Sequence, residues 1–339
     1  MNTIKTLLKT FLAGLMALAI LSVLMFGYYF KPLRENNPQK NTDYVWAENT
    51  PWFDSNEGVS FGVTDAKGFI NQKVIDDPDI ILLGSSHAES MNVAQNENMC
   101  ALLNDKFSGK YSAYNMGISG HTFYKVLQYL KNSLSIYKKT PKYVIIETSS
   151  VALNEAEVQQ ALSGNVKKTE VVDTGLLYQM QKVPYLREMY HQLDGGMLKM
   201  LMDKKNKSAS SESSDQSKTN DSIGVDEKAF QQTFEYLQQI EKDYGTKIIV
   251  MFHPVENLNA DGSISFAEKE YAETFSDYAK KYNVGFVDMT KDFEKMYYEQ
   301  NHVPHGFVTG ELGAGHLNKY GHAAIAESLY RYINELEVK

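Results

Sequence analysis

The chain has 339 residues, 43% of them apolar, and a formal net charge of −8. That length carries one large domain or two modest ones with a substantial core, and the acidic balance excludes the basic face of a general nucleic-acid binder. The single cysteine, Cys100, excludes an intrachain disulfide and leaves the compartment open.

From 11 to 30 no residue is charged, and Leu, Ala, Met, Phe and Ile dominate. A helix of that length crosses a bilayer. Lys5 and Lys9 precede it, Tyr28 and Tyr29 sit where an aromatic belt lies, and Lys31 and Arg34 follow. A cleaved signal peptide shares the basic start and apolar run, but this run is long for a signal and no small-x-small site follows it. Residues 1–31 are therefore expected to be a single-pass membrane anchor with the soluble mass outside the cell. Residues 32–70 are polar with scattered aromatics and no sustained period, and are expected to form a stalk. The main domain is expected over 71–339.

Five short apolar runs bounded by turn residues follow: 80–83, 111–115, 143–146, 247–252 and 285–288. Such runs suit strands buried on both faces of a parallel sheet. Helical spacing recurs between them, over 122–137, 227–244, 266–282 and 319–336. In the second of these Phe230, Phe234, Leu237 and Ile240 form one stripe stopped by Gly245, and Asn318 is placed to cap the last. Alternating strands and helices predict an α/β, three-layer α/β/α domain, with sites at the carboxyl ends of its strands. Residues 151–225 are too long for a simple crossover and are expected to be an insertion. Its serine- and charge-rich part, 203–225, cannot offset its ordering entropy by burial and is expected to be a flexible loop.

Three stretches carry the chemistry. In "GSSH", Gly84 to His87, the first strand breaks into two hydroxyls and an imidazole. A serine at that turn is exposed beside free backbone N–H groups, yet it is a weak nucleophile without a base in reach. The bland reading is a helix cap, and the sequence leaves open whether Ser85 or Ser86 is the reactive hydroxyl. In "NMGISG", residues 115–120, Gly117 permits close backbone approach to an oxyanion; the bland reading is an ordinary turn. In "GHLNKYGH", residues 315–322, His316 lies just before the last helix, where a general base belongs; the bland reading is a surface or capping histidine.

Taken together, in this order and these contexts, the stretches resemble the SGNH/GDSL hydrolase superfamily, with a flavodoxin-like sheet of about five parallel strands. Gly84-Ser85-Ser86 matches its first block, Asn115-Met116-Gly117-Ile118-Ser119-Gly120 its second, and His316 with Leu317, Asn318 and Gly321 its last. The anchor and the form G-S-S-H are closer to the extracytoplasmic branch that modifies envelope polymers, including polysaccharide O-acetyltransferases and the D-alanyl teichoic acid transfer protein. The resemblance implies Ser86 as nucleophile, His316 as base and Gly117 as oxyanion donor. It implies partners: the membrane, a cell-surface carbohydrate or acyl donor, and a membrane-bound acyltransferase. No cofactor and no metal are implied, because the histidine spacings fit no compact zinc pattern.

Two departures stand out. The family's acid lies three residues before the histidine, where this chain has Gly313; Glu311 is the nearest substitute, with Asp288 or a backbone carbonyl as alternatives. The family's block III asparagine is replaced by Glu147-Thr148-Ser149-Ser150, so that Glu147 is expected to orient His87 or a substrate hydroxyl. Ser85, His87, Asn115 and His253 are further candidates for substrate contact, with His121 beside the second block and His305 and His322 near the last. A serine esterase or O-acyltransferase is the leading expectation. A degenerate, glycan-binding or scaffolding protein of the same fold is the rival, since the missing acid and the missing asparagine are what a decayed site would look like.

Overall fold

The computed structural model describes residues 2–26, 30–55, 57–164, isolated positions between 179 and 186, and 225–338. The first helix, α1 (Asn2–Phe26), includes a 22-residue apolar window of mean hydropathy 2.2 whose side chains are not buried by the rest of the chain. Such a helix is compatible with a single membrane span, and a signal sequence shares these features. The helix starts and ends earlier than the apolar run suggests.

Strands β1 (Arg34–Asn36) and β2 (Tyr44–Trp46) pair antiparallel, as do β3 (Pro51–Asp54) and β4 (Ser60–Val63). The expectation of a stalk over 32–70 is overturned here. Tyr44, Val45, Trp46, Trp52, Phe69 and Ile70 are buried and join the main core. The segment lacks a long period because it is built of three- and four-residue strands, which leave too few alternations to read.

The main domain continues with β5 (Ile80–Leu83), α2 (Ser86–Glu89), α3 (Met99–Phe107), β6 (Ala113–Asn115), α4 (Phe123–Ser135), β7 (Tyr143–Thr148) and α5 (Glu155–Leu162). Then come α6 (Glu227–Tyr244), β8 (Lys247–Phe252), a small hairpin of β9 (Glu256–Leu258) and β10 (Ile264–Phe266), α7 (Lys269–Tyr282), β11 (Gly285–Asp288), α8 (Thr290–Gln300) and α9 (Lys319–Val338). All five expected core strands form, in one parallel sheet ordered β11-β8-β7-β5-β6. Counted along the chain this is the 2-1-3-4-5 order of flavodoxin-like folds, whose switch point lies between the first and third strands, here β5 and β7.

Strand periodicity divides the interior in two. Ile81, Leu83, Val144, Ile146, Ile248 and Val250 pack with α4, α6 and α7; Ile80, Leu82, Ile145, Ile249 and Met251 pack with α3, α8 and α9. The domain is thus a three-layer α/β/α sandwich. The stripe of α6 is wholly buried, and each such apolar side chain contributes about 1.5–3 kcal/mol. Asp226 caps the start of α6, and Gly245 ends it in the left-handed conformation at φ 64°. Asn318 caps α9 through the N–H groups of Tyr320 and Gly321. Of the expected insertion, α5 packs against α4 and α6; the expected loop over 203–225 lies outside the described residues, apart from Val225 at its end.

Candidate active site

The switch point places Ser85 and Ser86 at the end of β5 and Glu147 near the end of β7. Gly84 is obligatory at this turn, because a Cβ there would lie 2.3 Å from a Glu147 carboxylate oxygen. The two hydroxyls then part ways. Ser85 caps α2, accepting from the His87 N–H at 3.2 Å and donating its Oγ–H to Glu147 Oε2 at 2.9 Å. Its own N–H also goes to Glu147, at 2.7 Å. Ser85 is thereby fixed as a structural residue of the turn. Ser86, half-buried, bonds instead to His316, with Oγ 2.9 Å from Nε2.

The far nitrogen of His316 meets a residue that the sequence did not single out. Glu57, in the turn between β3 and β4, lies with Oε2 2.5 Å from His316 Nδ1 and accepts the His316 N–H at 3.3 Å. A carboxylate on Nδ1 keeps the proton there and leaves the Nε2 lone pair facing the Ser86 hydroxyl. This is the arrangement in which a serine is activated by an oriented base.

The expected acids are elsewhere. Glu311 is exposed on the loop before His316, and Asp288 accepts from the N–H and hydroxyl of Thr290. The loop carries Glu311 outward because Gly306 and Gly313, both at positive φ, turn the chain so that Gly313 N–H bonds to the His305 carbonyl. No spacing rule links position 57 to position 316, and the acid reaches the histidine only through the fold. The one sequence signal for it is an acidic residue within 32–70, the segment expected to be a stalk.

Gly117 requires a second correction. Its N–H donates to Asn115 Oδ1 at 2.9 Å, and a Cβ at this position would lie 2.4 Å from the backbone nitrogen of Glu89. Gly117 is a glycine because α2 packs directly on it, and its N–H is not available to an oxyanion. Asn115 is buried and donates to the Ala88 carbonyl at 2.6 Å, bracing the same short helix rather than contacting substrate. Glu89 braces it from the other side, accepting from Trp46 Nε1 at 2.7 Å and from Ser119. The Ser86 N–H, at the start of α2, has no protein acceptor among the described residues and is free to donate to an oxyanion.

Behind this row lies a buried histidine network. His253 Nε2 is 2.6 Å from Glu147 Oε1, and His305 Nδ1 is paired with Glu256. Their other nitrogens, His253 Nδ1 and His305 Nε2, face each other at 3.2 Å. Glu147 therefore orients Ser85 and His253, not His87, and His253 is fully buried away from solvent. His87 lies over both rings and beside His316, with ring centroids 4.6 Å from His253 and 5.1 Å from His316. Burial first, then repulsion from His253, holds His87 well below the usual histidine range, and burial with the field of His305 does the same to His253.

One ring nitrogen from each of His87, His253 and His305 falls within 4.8 Å of the others, a spacing that could hold a metal ion. The tautomers decide against a three-lone-pair cage. The Leu317 N–H donates to His87 Nδ1 at 3.2 Å, so the neutral ring carries its proton on Nε2. Only His253 and His305 then present lone pairs, with His253 Nδ1 and His305 Nε2 3.2 Å apart. His121 and His322 are structural. Burial lowers His121 to about 4 and His322 to about 3, and His322 Nδ1 accepts the Met99 N–H.

No protein-family model and no curated protein matches the chain. Among solved structures, a psychrotrophic esterase from Pseudoalteromonas sp. is 14% identical with a TM-score of 0.40, covering 77% of this chain and 98% of its own. An acetyl xylan esterase is 16% identical at 0.40, covering 74% and 98%. A catalytic mutant of an acetylxylan esterase from Geobacillus stearothermophilus is 13% identical at 0.42, covering 77% and 95%. Likeness this distant carries no chemical argument, so the functional reading rests on the geometry of Ser86, His316 and Glu57.

Proposed function

We propose that the chain is an SGNH-type serine esterase or O-acyltransferase, anchored to the cell membrane and acting outside it on esters of a surface carbohydrate. The observation that carries this reading is the continuous hydrogen-bonded row Glu57–His316–Ser86, at 2.5 and 2.9 Å. Ser86 Oγ attacks the ester carbonyl while His316 Nε2 takes its proton, and the Ser86 N–H stabilises the developing oxyanion. His316 returns the proton to the leaving alcohol, which departs and leaves an acyl-Ser86. Water or a sugar hydroxyl, deprotonated by His316, then takes the acyl group and frees the serine. Glu57 holds the imidazole in the required tautomer throughout.

The argument for a decayed, purely binding site was the missing acid and the missing block III asparagine; Glu57 offers a carboxylate in place of the first, and the Ser86 N–H is left to serve the oxyanion without the second. The carbohydrate substrate and a membrane-bound acyltransferase partner follow from the resemblance to the envelope-modifying branch. The test compares hydrolysis of a soluble acetyl ester by the wild type and by Ser86→Ala, with melting curves to establish that both are folded. Turnover lost in the variant supports the reading, and equal rates overturn it.

A further inference from the structure

The β3–β4 hairpin leaves an apolar face uncovered. Val59, Phe61 and Val63 alternate along the β4 edge, which puts them on one side of the strand, and they are 69%, 62% and 45% exposed. The loop at 306–313 continues the surface with Val308, 93% exposed, and Leu312, 52% exposed. The two segments touch at Gly58, where a Cβ would lie 2.5 Å from the Phe307 ring. Neither 57–63 nor 306–313 contains a lysine or arginine, so nothing in them is built to attract anionic headgroups.

What covers this face follows from the chain that enters it. Phe30 exchanges backbone hydrogen bonds with Phe53, at 2.7 and 2.8 Å, and Phe53 is in register with Phe61. Phe30, Phe53 and Phe61 therefore form a cross-strand row of aromatic side chains on one face. The row begins four residues after the end of α1 at Phe26, a link that spans at most about 14 Å when extended. Apolar faces carrying Phe, Trp or Leu bury themselves at the boundary between headgroups and acyl chains, and a tether this short holds the hairpin at that height.

We propose that the face formed by Phe61, Val59, Val63, Val308 and Leu312 rests on the lipid bilayer that α1 crosses. The contact is apolar and does not depend on anionic lipid. Because Glu57 belongs to the same hairpin turn, docking also fixes the cleft mouth beside the bilayer. The proposal rests on α1 being embedded, and its test does not involve the chemistry at Ser86.

The full-length protein is reconstituted in phosphatidylcholine nanodiscs, with and without bromine-labelled acyl chains. An environment-sensitive fluorophore is attached to Phe61→Cys, Val308→Cys or, as a control, to Lys280→Cys, exposed near the end of α7 where the chain enters the start of β11. The native Cys100 is buried, with its thiol pushed up to about 12, and stays unlabelled. Melting curves matching the wild type establish that each variant is folded. The proposal predicts loss of fluorescence to bromolipid at positions 61 and 308 and none at 280, unchanged by high salt. Fluorescence at 61 and 308 that is indifferent to bromolipid overturns it. So does shielding of both positions without quenching, which marks a protein partner, or failure of the protein to remain with the nanodisc.

Discussion

Glu57 and His316 meet at 2.5 Å although 259 positions of chain separate them. The contact closes a hairpin from the start of the soluble region onto the loop before the last helix. It gives the imidazole a fixed tautomer without any acid in its own loop. Glu57→Gln keeps the shape and removes the charge. We expect kcat/KM on a soluble acetyl ester to fall by up to about 10⁴-fold, the loss that follows when neutralising the orienting carboxylate leaves the wrong tautomer. Glu311→Gln is expected to leave the rate within error, and a Glu311 variant as impaired as Glu57→Gln would reassign the acid.

The two adjacent serines separate chemistry from structure. Ser86→Ala is expected to abolish acyl transfer with little change in stability, because its hydroxyl bonds only to a half-buried ring. Ser85→Ala removes the α2 cap and one hydrogen bond to Glu147. It is expected to cost about 1 kcal/mol of stability while retaining measurable turnover. Urea unfolding alongside single-turnover kinetics distinguishes the two, and the opposite pattern would make Ser85 the nucleophile.

Glu147 holds three donors at once: the Ser85 N–H, the Ser85 hydroxyl and His253 Nε2–H. Glu147→Leu strands them in a site that is 1% exposed. At about 1–3 kcal/mol for each buried unsatisfied group, the fully buried His253 alone lowers the unfolding free energy by about that much, read as a lower urea midpoint. A stability change below 1 kcal/mol would mean that the network is not formed in solution.

The buried histidines set an acid limit on the fold. His121 and His322 are lowered to about 4 and about 3 by burial, and His87 and His253 are lowered well below the ordinary value. The unfolded chain therefore binds protons below about pH 6.5 that the folded chain does not. Stability rises with pH across that window and falls on acidification, by up to about 1.4 kcal/mol per pH unit for each such histidine. Urea titrations between pH 4 and 8 check the slope, and His322→Leu is expected to flatten it. A stability curve independent of pH below 6.5 would contradict the buried-neutral assignment.

Most of the sheet was legible because its strands are continuous apolar runs and its helices carry clean stripes, such as Phe230, Phe234, Leu237 and Ile240. The pairing of Ser86 with His316 was legible because Ser86 sits where β5 hands over to α2 and His316 lies just before the last helix. The region before residue 71 was not. Strands such as Tyr44–Trp46 are too short for alternation to register, so a buried subdomain read as a stalk and took Glu57 out of consideration. Gly117 was misread because a close-packed glycine and an oxyanion glycine look alike in sequence, and only the collision with Glu89 tells them apart. The histidine network escaped notice because its members come from four separate strand ends and loops, at spacings that match no local motif.

The central claim is that Ser86 is the hydroxyl activated by His316 and Glu57, and covalent capture tests it most directly. The folded full-length protein is treated with a fluorophosphonate and digested, and the modified residue is located by mass spectrometry. The account predicts a single adduct on Ser86, absent in Ser86→Ala and formed much more slowly in Glu57→Gln. An adduct on Ser85, or labelling at the same rate in Glu57→Gln as in the wild type, would contradict it.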